Sequence, residues 1–471
     1  MIMKFKYTPI YITIALGMLN SSCNKWLDVK PKAEVHQEQL FSTATGFKDA
    51  LYGTYSLMGR NDIYGGEMTM GFMSVISHDY DLTETRSFYY KANLHKYTEL
   101  DTRGYIDKIW ERSYNAISNA NNILAQIDGK SSVFGADDYR LVKAEALGIR
   151  AYLHFDIFRL FAPAYDAANS KLLVPYITTI SKTPTASSPA KQFIDQCFAD
   201  LNLAETLLAD DPINSPDKAT NTDMATRRSN HFNIYAVKAL KARIYLYIGD
   251  KVNALKYADE VINSKKFPLV VNSAVSGPEE RIDRTFSSEH VFSLYISDLV
   301  NNANMHFRTT DARYLLNNNS TAVKALYEVN SGGSTDYRYV YLWKLYNGTP
   351  FCSKFWQLDE APSNIKYLMP LIRVSELYYI AAECIQDTKA GFNYLNQIRE
   401  HRGRDPLNNS GTKEELQEEI RKEYRKEFFA EGQTFFYYKR LKITQLPDSN
   451  IPGTDNVYVL PKPELETEYG K

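Results

Sequence analysis

Cysteine is scarce: four in 471 residues, with no Cys-x-x-Cys pair, so neither a disulfide framework nor a zinc ribbon is available and stability must come from packing. Tryptophan is equally rare, at four. There is no excess of either charge, since 55 Lys+Arg face 56 Asp+Glu, and no global field draws the chain to nucleic acid or an acidic membrane. Apart from one apolar stretch at 7–19 no long hydrophobic run occurs, and 44% hydrophobic with 24% charged residues excludes both a disordered chain and a multi-span membrane protein. The motifs of common chemistries are missing as well. Eight scattered histidines form no His-Glu-x-x-His pair, and there is neither a phosphate loop nor a Gly-x-Ser-x-Gly elbow. We therefore assign no catalytic residue, no metal and no cofactor. Asp79, Asp81 and Glu84 read as a solvated acidic loop rather than a glycosidase pair. Glu376 and Glu383, seven apart on one helix face and close to Arg373, are expected to pair with arginines of other helices.

What is present begins at the N-terminus. Lys4 and Lys6 precede the apolar stretch 7–19, too short for a comfortable membrane span but suited to a secretory signal. Asn20, Ser21, Ser22 and Cys23 follow, similar to a bacterial lipoprotein signal: cleavage ahead of Cys23 and acylation of its thiol would anchor the mature chain. Asn20 departs from that pattern, which prefers an aliphatic residue three before the cysteine. Residues 1–22 are thus expected to be a signal peptide and 23–471 one domain.

Helical periodicity dominates that domain. Ile106, Ile109, Trp110, Tyr114, Ile117, Ala120, Leu124 and Ile127 mark one buried stripe. A second helix is predicted over 138–161, capped by Asp137 and Asp138 and ended by Pro163, and a third from Ser188 and Pro189 to about 208. Cys197 and Cys384 fall on apolar helix faces, as small hydrophobes. Residues 234–262 read as two helices joined at Gly249 and Asp250, with Ala236, Ala239, Ala242, Ala254 and Ala258 permitting close approach, and resemble a tetratricopeptide hairpin. A related pair spans 371–385 and 390–402. About a hundred residues separate the two, so a regular solenoid is not expected. The last helix, 413–431, alternates charge along a face expected to be solvated, and Gly432 stops it. Two stretches break the pattern. Residues 60–105 are rich in Gly, Asp, Tyr and Met, and 265–365 hold Gly/Asn/Pro clusters with strand-like runs HVFSLYI and YRYVYLWKLY.

Nine segments in order carry a family resemblance: CNKWLDVKP, FSTATGFKDALYGTYSLM, IWERSYNAISNANNILAQID, AEALGIRAYLHFDIFRLFA, ALKARIYLYIGDKVNALKYADEVI, IRVSELYYIAAEC, LNQIREHRG, IRKEYRKEFFAEGQTFFYYKR and VYVLPKPELE. Along nearly its whole mature length the chain resembles the SusD/RagB family of outer-membrane nutrient-binding lipoproteins. The resemblance implies a mainly α fold, a tetratricopeptide-like scaffold with long irregular, partly β insertions. It also implies a surface-exposed lipoprotein that sits as a lid on a SusC-like TonB-dependent barrel, captures a nutrient, usually a glycan, and releases it for import. After Glu431-Gly432 the family commonly carries Trp and Asp; here the run is QTFFYYKR.

Sugar binding without catalysis needs flat aromatic faces flanked by Asn, Asp, Arg or Gln. The 35 tyrosines and 23 phenylalanines suit such a surface. The family's ligand lies on irregular segments, which makes the candidates here Tyr80, Tyr89, Tyr90 and Asn93 in the first, near Asp79, Asp81 and Arg86, and Trp343, Tyr346 and Trp356 in the second, near Asn347. Of Tyr89 and Tyr90, one should point inward and its neighbour outward. Trp343 reads as part of a strand, and Trp356, in SKFW, as near a packed strand. Trp110 belongs to the core stripe and Trp26 to the anchor-proximal segment. Two other readings compete: a peptide cargo in place of a glycan, as for RagB-like members, and a lipid-anchored tetratricopeptide scaffold that binds a protein segment. A surface glycoside hydrolase has only the available carboxylates in its favour.

Overall fold

The computed structural model describes residues 37–215 and 223–470. The signal segment, the lipidation candidate Cys23 and Trp26 lie outside the described residues. Helices α1 (Ala44–Met58), α2 (Leu100–Ile127), α3 (Ala136–Phe161) and α4 (Ala190–Leu207) pack in series, each on the next. The predicted stripe of α2 is largely inward: Ile106, Ile109, Trp110, Ile117, Ala120 and Ile127 are buried, while Tyr114 and Leu124 are half-buried. Helix α3 is covered by α1, α2, α4 and the following helix, and from Leu141 onward its apolar residues are buried on every side. Burial on all sides requires its charges to be paired. Glu145 meets Arg228 and His231, Arg150 forms two hydrogen bonds with Asp200, and Asp156 accepts from Tyr64 and Arg159. Its cap is Gly135 rather than an aspartate, so Asp137 and Asp138 sit in the first turn, where the helix dipole favours acids.

Helices α5 (Ile234–Tyr247) and α6 (Lys251–Asn263) form the predicted hairpin. Asn233 caps α5 through the N–H groups of Tyr235 and Ala236, and Asp250 caps α6. Between them Gly249 takes φ +86°, a left-handed conformation that favours glycine. The chain then leaves the helical stack through β1 (His290–Tyr295), α7 (Leu299–Phe307), α8 (Ser320–Leu326), α9 (Tyr337–Leu342) and the hairpin β2 (Trp343–Tyr346) with β3 (Thr349–Cys352). It returns through β4 (Leu368–Arg373), antiparallel to β1, into α10 (Val374–Cys384), α11 (Thr388–Glu400), α12 (Lys413–Glu427) and α13 (Thr434–Arg440). Helix α10 packs directly on α6. The two hairpins, distant in sequence, are therefore neighbours in the stack, and 265–365 is an excursion from a continuous helical series.

Several local expectations are corrected. YRYVYLWKLY is helix for its first part and strand only from Trp343. SKFW is a turn, closed by the Trp356 N–H on the Ser353 carbonyl, and not a strand. Helix α12 ends at Glu427, and the turn beyond it holds Gly432 at φ +70°, where a β-carbon would lie 2.2 Å from the Met68 carbonyl oxygen. The charge pattern of α12 is solvated on one side only. Glu423, Lys426 and Glu427 are buried, and Arg338, Arg373, Arg399 and Arg402 converge on the two glutamates. Glu376 and Glu383 do pair with arginines, Arg243 and Arg440, rather than with Arg373.

Candidate functional site

The two irregular stretches meet. The Asp81 N–H donates to the Asn317 carbonyl, the Phe88 N–H and Ser87 hydroxyl donate to the Arg313 carbonyl, and the Asn318 amide donates to the Asp79 carbonyl at 2.9 Å. Residues distant in sequence thus form one ribbon. Its half-buried rings Phe88 and Tyr314 stand edge to face at 5.0 Å with Arg313 beside both.

Between this ribbon, α8 and the last turns of α12 lies a cleft of about 550 Å³. Its floor is apolar. Tyr80 meets Phe429 at 5.5 Å and Phe429 meets Trp343 at 5.2 Å, so Trp343 backs the floor rather than facing a ligand. Its walls are polar: Asn93, Asn318 and Asn319 on one side, Arg421, Lys422 and Arg425 on the other, with Asp79, Asp81, Glu328 and Asp448 among them. Most of these charges are matched. Arg421 pairs with Glu418, Lys422 with Glu419 and Glu328, and Arg425 with Asp448. Burial pushes the Asp79 carboxyl up to about 6 against the Ala430 N–H it accepts, so it is half protonated near pH 6. Two acceptors are left over. The side-chain oxygens of Asn93 and Asn318 are buried without a donor among the described residues, an arrangement that costs about 1–3 kcal/mol each until a donor arrives.

The predicted residues divide among three places. Tyr80 and Asn93 line the cleft, although Tyr80 is 5% exposed and its hydroxyl donates to the Met70 carbonyl, which leaves little free face for a sugar. Tyr89 is core: 1% exposed, stacked on Tyr105 at 5.0 Å, its hydroxyl donating to Glu67. Burial raises the Glu67 carboxyl to about 7. Its neighbour Tyr90 is half-buried, in the first turn of a short helix that also carries Asn93. Tyr346 and Trp356 come together elsewhere, around Arg308. The sequence reading passed over Asn318, Arg421, Arg425, Phe429 and Tyr314. Asn318 lies in the run Asn317-Asn318-Asn319-Ser320, whose composition signals a loop and nothing more, and the arginines sit in an ordinary amphipathic charge pattern.

Among the described residues no group of three or more His, Cys, Asp or Glu side chains is arranged to hold a metal ion, and no helix is long and apolar enough to cross a membrane.

Two family models match the chain. A SusD-like model described as "Starch-binding associating with outer membrane" covers residues 25–246, and a model described as "SusD family" covers 288–468. A SusD-like protein of Formosa agariphila is 24% identical over 91% of this chain and 90% of that protein; another from the same organism is 22% identical over 84% and 82%. A third is 25% identical over 55% of this chain, which spans 46% of that relative's length. Among solved structures, a SusD superfamily protein from Bacteroides vulgatus superposes with a TM-score of 0.70 at 22% identity, covering 91% of this chain and 97% of that one. A SusD-like carbohydrate binding protein of the same species gives 0.68 at 18% identity, covering 91% and 97%.

Proposed function

This chain belongs to the SusD/RagB family, and from that footing we propose that it is a non-enzymatic nutrient-binding lipoprotein of the outer membrane that captures a glycan in the cleft between 78–93, α8 and α12 and passes it to a SusC-like TonB-dependent transporter. Lipid attachment at Cys23 belongs to the same reading. The observation that carries it is the pair of buried amide oxygens, Asn93 and Asn318, left without donors on a cleft wall whose opposite side is rich in donors. A sugar hydroxyl is both donor and acceptor, so one ring can satisfy an amide oxygen with one hydroxyl and receive from Arg421 or Arg425 with the next. The apolar part of the floor, to which Leu82 and Phe429 contribute, suits the C–H face of a pyranose. No bond changes. A preformed surface with few stacking contacts holds single units modestly, which suits a protein that must release its cargo, and repetition along a polymer supplies retention.

The test is titration of the detergent-solubilised full chain with neutral oligosaccharides and, in parallel, peptide digests. Asn93→Ala is expected to weaken oligosaccharide binding about tenfold, the effect of one lost hydrogen bond of about 1.4 kcal/mol, with the unfolding midpoint of the free protein the same or higher because an unsatisfied acceptor is removed. Peptide binding with no response to any oligosaccharide would replace the glycan by a peptide cargo.

A further inference from the structure

Where the cleft is short of donors, the β2–β3 hairpin is short of acceptors. Arg308, just past the end of α7, lies with its guanidinium carbon 4.7 Å from the centre of the Trp356 ring and 5.3 Å from that of Tyr346. Among the described residues the one hydrogen bond of its side chain is a long one, 3.4 Å to the Asn304 side-chain oxygen. Among the same residues its Nε is buried without a partner, and no carboxylate forms an ion pair with it. Two further cations face the same indole, Arg284 at 5.2 Å and Lys344 at 5.9 Å. Both share a single acid, Glu279, so three positive charges meet one negative one. The surplus extends to dipoles: the Nε of Arg284 and the amide nitrogen of Gln357 are also buried donors with no acceptor.

We propose that this patch is an anion subsite, taking an acceptor-only group, a carboxylate or a sulfate ester, carried by the glycan, and hence that the cargo is an acidic polysaccharide. The inference rests on the glycan reading above and adds a charge class to it. An oxyanion supplies acceptors without bringing donors of its own, which a neutral hydroxyl cannot do. Arginine presents a planar fork matched to carboxylate or sulfate, and the rings of Trp356 and Tyr346 hold that fork in place by cation–π attraction. The same crowding of cations on Trp356 explains why its ring is not a free stacking platform. With the indole engaged by Arg308, Arg284 and Lys344, its part is to orient the guanidinium and not to lie under a sugar.

The experiment titrates the full chain in non-ionic detergent with oligogalacturonate, dextran sulfate and neutral dextran of matched length, at low and at moderate salt, for the wild type, Arg308→Gln and Arg308→Lys. The expected result is that one of the anionic ligands binds at least tenfold tighter than dextran at low salt. That preference shrinks with salt, is lost in Arg308→Gln and is partly kept in Arg308→Lys, while affinity for dextran is the same in all three. The two anionic arms separate carboxylate from sulfate. An equal affinity for charged and neutral ligands in the wild type, or a preference that survives in Arg308→Gln, would overturn the inference while leaving the glycan reading standing. If no oligosaccharide binds at all, the glycan reading fails, and inorganic sulfate decides the patch. A sulfate-dependent rise in melting temperature, present in the wild type and absent in Arg308→Gln, supports it; the same rise in both proteins, or none, sinks it.

Discussion

The buried histidines show how much a single proton can matter. The Tyr97 hydroxyl donates to the Val457 carbonyl at 2.6 Å, so it must accept from Nδ1–H of His95 at 2.9 Å. The Nε2 of His95 is then the acceptor for His78, 3.1 Å away, and the chain runs in one direction only: His78 to His95 to Tyr97 to Val457. A second proton on His95 reverses one link. Burial lowers His95 to about 3 and His78 to about 4, and likewise His154 and His290 to about 3 and His306 to about 4. In the unfolded chain each takes its proton near 6.5. The contribution of these five is therefore whole above pH 6.5 and is lost as the pH falls toward 4 and 3. Glu67 and Asp79, raised by burial to about 7 and about 6, act in the opposite direction, since the folded state accepts their protons first. Five groups outweigh two. The melting temperature is expected to fall continuously from pH 7 to pH 4.5; a constant or rising value over that range would show that these rings are solvated. At this scale the sequence told which residues carry aromatic or amide chemistry, as for Asn93 and Tyr80. It did not tell which polar atoms end without a partner, because Asn318 and Arg308 are unusual only through what fails to reach them once the chain is folded.

Helix α12 makes the corresponding point for elements. Its sequence alternates charge at spacings of three and four, a pattern that describes a solvated face equally well as half of a buried network. Arg421 with Glu418 and Lys422 with Glu419 are the solvated half. On the other side Glu427 accepts from Arg338 at 2.9 Å and Arg402 at 2.7 Å and meets Arg373 as well. These arginines come from α9, from the end of β4 and from the turn after α11, so no local window contains the pairing. Removing one partner strands the others in a low-dielectric interior. Glu427→Gln is predicted to cost about 3–5 kcal/mol in urea unfolding. Glu418→Gln on the same helix is predicted to cost no more than about 0.5 kcal/mol, as for an exposed pair. Equal effects of the two would mean that the network is hydrated. The helices α2 to α6 and α10 to α12 were readable, because apolar periodicity survives whatever the tertiary partner; α7, α8 and α9 were not, being too short to show a period, and the residues of α9 read as strand. Ends were less so: the cap at Gly135 and the stop at Glu427 depend on neighbours and not on residue type.

For the whole molecule, the excursion between α6 and α10 does not divide the chain. The C-terminal strip returns to the first half, where the Leu460 N–H donates to the Leu160 carbonyl at 3.0 Å and Arg103 reaches the Lys462 carbonyl. With α10 seated on α6 as well, calorimetry is expected to give one cooperative transition, and two separated transitions would mean that the halves melt independently. The helical hairpins were legible in sequence, but their adjacency was not, since a hundred intervening residues conceal which helix covers the exposed face of α6. The ribbon formed by 79–88 and 313–319 was hidden for the same reason. On the proposed function the cargo sits on this ribbon, with α8 and α12. Hydrogen–deuterium exchange of the full chain with and without a binding oligosaccharide tests it most directly. Protection is expected in 78–93, 313–328 and 421–429, joined by 308 and 344–357 when the ligand is acidic; protection on the helical stack of α4 to α6 with those segments unchanged would show that the cargo sits elsewhere.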